Sequence, residues 1–277
     1  MINHSFVVLA YKDSPYLDKC IESLKNQTIE SNIYLSTSTP SEYIDNIAKK
    51  YDVKVFVTVS GQGLAHDYNF GLQHTKTKYL TLVHQDDKYM PEYTEKCLRS
   101  ANKFEDTLIC FSDYSELVGD KERSSTLLLN IKLLMFLFFM PFNNNIKFKF
   151  WKRGLLSFGC PISAPTVMYN LEKLAGFQFS KDFLCNVDWE AWSYMAKIEG
   201  RFVYINKKLL KKRIHLESAT TNGLENNLRK MEDYKMFNHF WPKSLARFLM
   251  KFYVISYKSN QIKCSDFNEE KHFKRNL

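Results

Sequence analysis

The most informative part of the sequence is the nine-residue segment Tyr79-Leu80-Thr81-Leu82-Val83-His84-Gln85-Asp86-Asp87. Its first five residues predict a strand, and this strand runs directly into two adjacent carboxylates. In an open α/β sheet, ligands bind beyond the carboxyl ends of the strands. The stretch therefore predicts a sheet strand with an acidic ligand site at its end.

The chain before this stretch alternates strands and helices. Phe6 to Ala10 is a continuous apolar run, typical of a strand buried on both faces. Ser14-Pro15 then supplies a helix N-cap and a first-turn proline. Two more units follow, with strands at Ile33–Leu35 and Val53–Val59 and helices around Tyr43–Ala48 and from Gly61-Gln62-Gly63 to about His74. The alternation predicts a mostly parallel sheet covered by helices.

The pattern changes after Asp113. Residues 120–155 hold the apolar run Leu127 to Phe142 and the basic, aromatic stretch Lys147 to Arg153, which together indicate an inserted helical element. A short strand ending near Tyr169, a helix over Val187–Ile198 and a strand over Arg201–Leu210 are predicted next. From Met231 onward the chain is expected to be helical.

Composition limits the class of protein. The 277 residues are 45% hydrophobic and 25% charged, which are ordinary globular values and exclude a disordered or fibrous chain. The 39 Lys and Arg outnumber the 30 Asp and Glu, so the net charge of +9 favours an anionic partner. Nucleic acid, an acidic membrane and a phosphorylated substrate all satisfy that condition.

Targeting signals and cysteines predict a cytoplasmic protein. The six cysteines are scattered without a C-x-x-C pair, which fits a reducing compartment. Met1 to Ser5 has no basic region of a signal peptide. The clean apolar run Leu133 to Met140 would span about 12 Å as a helix, far less than the ~30 Å of a bilayer core. We therefore expect no transmembrane segment.

Asp86 and Asp87 have two interpretations. Adjacent carboxylates repel each other, and a pair at a strand end gains from a bound cation such as Mg²⁺ that also contacts substrate phosphates. Alternatively, the pair caps the helix that follows near Met90-Pro91. Gly61-Gln62-Gly63 is weaker evidence: it could bring backbone close to a phosphate, but a tight turn is the commoner role of such a sequence.

Two residues of the second half are further candidates. Asp188 begins a helix beside Trp189 and Trp192, and a carboxylate there could act as a general base. The commoner role of such a residue is to complement the helix dipole. His215 follows the basic run Lys207 to Arg213, although a lone histidine is more often a packed or surface residue than a metal ligand.

The order of these motifs resembles the inverting glycosyltransferases of family 2. Gly61 to Gly71, GQGLAHDYNFG, is similar to the family's N-x-G-x-x-x-A-R-N-x-G. Tyr79 to Asp87 is similar to its strand ending in D-x-D or D-D. Asp188 to Trp192, DWEAW, is similar to its E-D-W-D-L-W, and His215 to its late histidine. The resemblance covers roughly residues 5–220 and implies a GT-A fold, a Rossmann-like α/β sheet flanked by helices.

The resemblance also implies roles for individual residues. Asp188 is the catalytic base, and Asp87, Asp86 and His215 surround a divalent metal, Mn²⁺ or Mg²⁺. Tyr11 and Asp67 lie near the donor nucleoside, and the wider donor set is Ala10, Tyr11, Ser36, Gly61, Asp67, Asn69 and Asp86. Three departures affect this assignment: Ser36-Thr37-Ser38 replaces an acidic uracil-binding motif, His84 replaces the first Asp of D-x-D-D, and Val187 replaces a Glu.

The domains that the resemblance implies are a GT-A catalytic domain, residues 1–225, and a C-terminal helical extension, residues 226–277. Within the first, residues 1–119 form the nucleotide-sugar-binding half, residues 120–155 the helical insertion, and residues 156–225 the acceptor and catalytic half.

We expect transfer of a sugar from a nucleotide-diphosphate donor, of the UDP type, to a glycan or lipid-linked acceptor in bacterial surface polysaccharide assembly. A Rossmann-type nucleotide-dependent enzyme is an alternative, but it lacks the glycine fingerprint and leaves Asp86-Asp87 without a role. A nucleic-acid-binding protein would explain the positive charge but not acidic residues at the ligand edge of the sheet, so we expect no nucleic acid partner.

The C-terminal helix predicts a location. The helix that starts at Pro242 carries an apolar stripe, formed by Leu245, Phe248, Leu249 and Phe252. On another face it carries a basic residue every four positions: Lys243, Arg247 and Lys251. A basic amphipathic helix of this kind binds the interface of an anionic bilayer. The same stripe could instead close the core of the catalytic domain. Peripheral contact with the inner face of the plasma membrane is therefore one of two interpretations.

Overall fold

The computed structural model describes residues 2–59, 63–119, 121–141, 144–214 and 227–260, with side chains described to Val254. The strands are β1 His4–Ala10, β2 Asn32–Thr37, β3 Lys54–Val57, β4 Tyr79–His84, β5 Lys88–Tyr89, β6 Thr107–Val118, β7 Lys121–Arg123, β8 Asn145–Ile146, β9 Val167–Asn170 and β10 Arg201–Arg213. The helices are α1 Leu17–Lys25, α2 Glu42–Tyr51, α3 Leu64–His74, α4 Tyr93–Ala101, α5 Leu127–Phe139, α6 Lys149–Ser157, α7 Val187–Met195, α8 Leu228–Phe240 and α9 Lys243–Asn260.

One mixed sheet organises these elements, and it confirms the predicted α/β class. Its strand order is β3-β2-β1-β4-β9-β6-β10-β5, with β7 beside β6 and β8 beside β10. β1 to β4 are parallel neighbours, β9 runs antiparallel between β4 and β6, and β6 is parallel to β10. The long strands β1, β4, β6 and β10 therefore run in the same direction, which brings their carboxyl ends to one edge.

The first strand shows why the sheet is buried on both faces. Phe6 and Val8 belong to a core cluster that also contains residues of α1, α2 and α4. Val7 belongs to a second cluster, to which α3 and α5 to α9 all contribute residues. Successive side chains of a strand point to opposite faces, so an uninterrupted apolar run supplies both cores.

The second core includes the predicted insertion and the C-terminal helices. Phe136 of α5 and Leu155 of α6 are buried in it, together with Phe237 of α8 and Met250 of α9. The segments therefore pack as part of one hydrophobic core with the sheet. The domain boundaries remain predictions, and the one at 225/226 falls within residues 215–226, which lie outside the described residues.

The apolar stripe predicted for α9 is divided between the surface and the core. Its core side is formed by Ala246 and Met250, with Leu249 partly buried against the same cluster. Leu245, Phe248 and Phe252 are exposed instead. The difference arises because the helix carries apolar residues around most of its circumference, so their spacing does not indicate which side packs. No helix in the described part of the chain is long and apolar enough to span a bilayer.

A buried histidine makes the stability of this fold dependent on pH. His4 of β1 is fully buried, and its ring nitrogens lie 2.9 Å from Ser31 Oγ and 3.0 Å from Thr81 Oγ1. Burial lowers the pKa of His4 from 6.5 to about 3. Between these values the unfolded chain binds the proton and the folded chain does not, so folding is weakened as the pH falls from 6.5.

We predict that the free energy of unfolding decreases by about 1 kcal/mol for each pH unit between pH 6 and pH 4 because of His4. Urea titrations at several pH values measure this dependence. The variant His4→Asn should be less stable at pH 7 and should show a smaller slope over that range. The exposed His74→Asn variant is the control, and an identical slope in all three proteins would contradict the assignment to His4.

Candidate active site

The end of β4 brings three potential metal ligands together. One ligand atom from each of His84, Asp86 and Asp87 lies within 4.8 Å of the other two. The side chain of Asp87 is buried, and its Oδ1 accepts a hydrogen bond of 2.9 Å from the backbone N–H of Arg213. Its Oδ2 is also buried, has no hydrogen-bond partner among the described residues, and lies 4.0 Å from His84 Nδ1. This oxygen is positioned to bind a cation.

Asp87 is not a helix cap. The following helix, α4, begins at Tyr93 with Glu92 as its N-cap residue, and no side chain caps it. The Asp87 carboxylate instead accepts a hydrogen bond from the backbone of β10. Of the two interpretations of the carboxylate pair, the helix cap is therefore wrong for Asp87.

Burial is the main influence on the pKa values of the cluster. Burial raises the pKa of Asp87 well above its ordinary value, and the charge of Asp86 raises it further. The positive charges of Lys212 and Arg213 oppose this rise. Burial also lowers the pKa of His84, so its imidazole is neutral and able to donate a lone pair. A divalent cation would relieve the repulsion between the carboxylates and bring both into the ionised form.

Two neighbours orient the cluster. The Tyr68 hydroxyl lies 2.7 Å from His84 Nε2, which leaves Nδ1 on the side of Asp87. Gln85 bonds to the end of β1: its Oε1 accepts from the Tyr11 backbone N–H at 3.0 Å, and its Nε2 donates to the Tyr11 carbonyl at 2.9 Å. The sequence analysis missed both residues. The position of Gln85 between His84 and the carboxylates was the available signal.

The predicted donor residues lie around the ends of β1 and β2 and on α3. Ala10 is buried, and Tyr11 is 54% exposed, so its ring is accessible to a ligand. Ser36 is buried in β2, and its hydroxyl has no hydrogen-bond partner within the described segments. Asp67 is partly buried in the first turn of α3, and burial raises its pKa. Ala10, Tyr11 and Ser36 thus lie at the carboxyl ends of β1 and β2, and the contact of all four residues with a donor stays a prediction.

Two members of the predicted donor set need separate comment. Asn69 uses both atoms of its amide to bond the backbone of Phe179, with distances of 2.9 and 2.7 Å. It therefore connects α3 to the second half of the chain, and its contact with a donor stays a prediction. Gly61 lies outside the described residues, as does His215 of the predicted metal set.

The end of β10 adds positive charge that the sequence analysis did not assign to the site. β10 extends to Arg213, three residues beyond the predicted end. The Arg213 guanidinium donates from Nε to the Asp86 carbonyl at 3.2 Å and lies 4.2 Å from the Tyr16 ring centroid. Arg213 and Lys212 therefore flank the carboxylates, where they can attract phosphate groups. The sequence showed a basic run at Lys207 to Arg213 but not the register of β10 against β6.

Asp188 lies in the first turn of α7. It is partly buried, and its Oδ1 accepts a bond of 2.8 Å from the backbone N–H of Trp189, consistent with a contribution to the helix start. Its charge also raises the pKa of Tyr68 and opposes the lowering of the His84 pKa. Its carboxylate is therefore close enough to the cluster to affect it, as a base acting at the same substrate would be.

Two acidic residues of α8 hold the segment that precedes Asp188. The buried Glu232 carboxylate accepts backbone N–H groups of Leu184, Cys185 and Asn186 at 2.7, 2.8 and 2.8 Å. The neighbouring Asp233 accepts from Asn186 Nδ2 at 2.7 Å, and Asn186 is the N-cap residue of α7. The sequence analysis missed this contact because Glu232 and Asp188 are distant in the chain. The adjacent pair of acids in a helix without other acidic residues was the available signal.

Comparisons with known proteins show what the chain is similar to. The family model "Glycosyl transferase family 2" matches residues 5–169, more than half of the chain. A curated relative is the putative glycosyltransferase EpsH of Bacillus subtilis (strain 168), which is 30% identical over 112 residues. That match covers 38% of this chain and 32% of EpsH, so the likeness spans about a third of that relative.

Two solved structures share the fold. S. aureus TarS residues 1–349 in complex with UDP-GlcNAc has a TM-score of 0.62 at 12% identity, covering 90% of this chain and 70% of that one. The mannosyltransferase PcManGT from Pyrobaculum calidifontis, in complex with GDP-Man and Mn²⁺, has a TM-score of 0.58 at 11% identity, covering 86% and 63%. These likenesses confirm the predicted GT-A fold.

We predict that Glu232→Gln destabilises the chain by about 1–3 kcal/mol, because an amide cannot accept three backbone N–H groups and turns an N–H toward at least one of them. Hydrogen exchange measured by NMR or mass spectrometry should show faster exchange at Leu184, Cys185 and Asn186. The matched control is the exposed Glu172→Gln. Unchanged exchange in the Glu232 variant would contradict the role given to this carboxylate.

Proposed function

This chain belongs to glycosyl transferase family 2, and we propose that it transfers a sugar from a nucleotide-diphosphate sugar to a hydroxyl group, with inversion at the anomeric carbon. The observation that carries the proposal is the buried Oδ2 of Asp87 beside Asp86 and His84, at the carboxyl end of β4, which has no hydrogen-bond partner among the described residues. Such an oxygen is costly to bury unless a ligand completes its contacts. The donor diphosphate and a divalent cation together provide such a ligand.

The chemistry of the donor set fits Mg²⁺ or Mn²⁺. Asp87 Oδ2, an Asp86 carboxylate oxygen and His84 Nδ1 would hold the ion, with His215 as a further predicted ligand. Hard divalent cations favour carboxylates combined with substrate phosphates, and Mn²⁺ also accepts imidazole. When bound, the ion would neutralise charge on the leaving diphosphate. Lys212 and Arg213 would add to that neutralisation from the end of β10.

The nucleoside would lie against the ends of β1 and β2. The exposed Tyr11 ring offers a stacking surface, and Asp67 and the Ser36 hydroxyl offer polar contacts near it. Ala10, Gly61 and Asn69 complete the proposed set. A uridine donor is favoured by the likeness to TarS, whose structure contains UDP-GlcNAc. The GDP-Man complex of PcManGT makes guanosine donors the appropriate comparison in a binding assay.

Asp188 is the proposed catalytic base. In this proposal its carboxylate removes the proton of the acceptor hydroxyl as the hydroxyl oxygen attacks the anomeric carbon from the face opposite the diphosphate. A single displacement without an enzyme nucleophile inverts the configuration. Glu232 and Asp233 would maintain the position of Asp188 through the segment before α7. The burial of Trp189 and Trp192 behind it holds the helix in place.

The acceptor is proposed to be a glycan or a lipid-linked glycan of a bacterial surface polysaccharide, made on the cytoplasmic side of the membrane. We propose no nucleic acid partner, because nucleic-acid binding would not explain acidic residues at the ligand edge of the sheet. The relatives named above are glycosyltransferases, which agrees with this class of reaction.

We predict that Asp87→Asn lowers the affinity for UDP in the presence of Mn²⁺ by at least about tenfold and abolishes the dependence of binding on the ion. Asn can still accept the Arg213 N–H, so the fold should be retained. Isothermal titration calorimetry with and without Mn²⁺ measures both effects. The exposed Asp45→Asn variant is the control. Unchanged affinity and metal dependence in Asp87→Asn would reject the metal site.

For Asp188→Asn we expect turnover to fall by about a hundredfold or more with little change in UDP affinity, because only proton removal is lost. The assay is release of UDP in the presence of an acceptor that supports turnover by the unaltered protein. Glu190→Gln, two residues along the same helix, is the matched control. Normal turnover in Asp188→Asn would move the base elsewhere, and a parallel loss of folding would make Asp188 structural.

A further inference from the structure

We propose that helices α5, α6 and α9 form a surface that binds anionic lipid bilayers. This inference goes beyond the proposed function and does not depend on the donor chemistry. We define the surface, called here the apolar face, by its exposed apolar side chains. They are Leu127, Ile131, Leu134, Leu137 and Phe138 of α5, Phe148, Phe150 and Trp151 at α6, and Leu245, Phe248 and Phe252 of α9.

The exposed apolar residues of the apolar face recur at helical spacing. On α5, exposed residues recur at 127, 131, 134 and 138, which places them on one side of the helix. On α9, exposed residues recur at 245, 248 and 252, and the ring centroids of Phe248 and Phe252 are 5.0 Å apart. Scattered exposed apolar residues are ordinary, but stripes on neighbouring helices mark an interaction site.

The three helices adjoin one another. The Phe139 ring of α5 contacts the Trp151 ring of α6 at 6.0 Å and packs over Gly154. Tyr253 of α9 packs against Gly159, just after α6. Side chains of all three helices also enter the same core cluster. The stripes therefore belong to one region of the surface.

The charge around the apolar face favours an anionic bilayer. No Asp or Glu occurs between residues 123 and 171 or between residues 234 and 265. Exposed basic residues within these two segments include Lys243, Arg247 and Lys251 of α9. Lys147 and Lys149 are also exposed, but they lie 4.0 and 3.9 Å from the carboxylates of Asp106 and Glu199. Lysine and arginine beside apolar and aromatic side chains are the composition of interfacial helices. A second copy of this chain fits less well, because two such surfaces facing each other would bring like charges together.

The energetic scale is sufficient for reversible binding. Each basic side chain near an anionic membrane surface contributes roughly 1 kcal/mol, and buried apolar side chains add to this. The described helices lack the length and hydrophobicity to span a bilayer, so the contact is peripheral. A lipid-linked acceptor would be available at the same interface.

Vesicle flotation at low ionic strength tests the proposal with the full chain. We expect binding to vesicles of phosphatidylcholine with 30 mol% phosphatidylglycerol, weak binding to phosphatidylcholine alone, and loss of binding in high salt. The triple variant Lys243→Gln, Arg247→Gln, Lys251→Gln should reduce partitioning by about a hundredfold. The matched control replaces Lys19, Lys25 and Lys49, exposed on α1 and α2, with glutamine and should bind normally.

A second pair of variants tests the apolar contribution. Phe138→Ser with Phe248→Ser should weaken flotation at least tenfold, whereas Val57→Ser with Val59→Ser, at the exposed edge near β3, should not. All four side chains are exposed, so folding should be unaffected. Absence of flotation at low salt, or equal loss in the control variants, would overturn the proposal. The apolar face would instead be assigned to contact with a second copy of the chain by one result. That result is concentration-dependent self-association in sedimentation velocity that the Phe138 and Phe248 changes abolish, without any vesicle binding by the unaltered protein.

Discussion

The bond between Asp87 Oδ1 and the backbone N–H of Arg213 is the constraint on which the site depends. It joins residues 126 positions apart and brings the carboxyl end of β4 against the end of β10. Because this bond holds one oxygen of the buried carboxylate, the other oxygen is directed toward His84 without a described partner. Burying a carboxylate in this way lowers the free energy of unfolding, and a ligand-binding role explains why the residue is there.

Other contacts extend this constraint across the sheet. Gln85 bonds the backbone of Tyr11, so the end of β1 is held beside the acidic cluster. Glu232 and Asp233 of α8 hold the segment that leads into Asp188. The proposed metal ligands, the proposed donor surface and the proposed base are thus supported by three separate elements of the chain. Rigid support of this kind favours a displacement in which donor and acceptor must align.

Sequence reasoning predicted the features that are local. The four strands and helices of the first half follow from apolar periodicity and turn residues, and Asp86 and Asp87 were located because they directly follow a strand. Contacts between distant segments were not predictable: the length of β10 and its register decide that Arg213 meets Asp87, and nothing near Arg213 in the sequence records it. For a related reason the sequence could not decide which residues of the α9 stripe pack against the core, since an apolar helix packs the side that its neighbours reach.

We propose that the Asp87 carboxylate, with its neighbours, holds a divalent cation that binds the donor diphosphate. The most direct test is a crystal structure of the chain grown with MnCl₂ and UDP, with anomalous diffraction recorded at the manganese edge. We predict an anomalous peak about 2 Å from Asp87 Oδ2, with the UDP phosphates beside it. UDP bound at this edge of the sheet with no manganese beside Asp87, or manganese bound elsewhere, would contradict it.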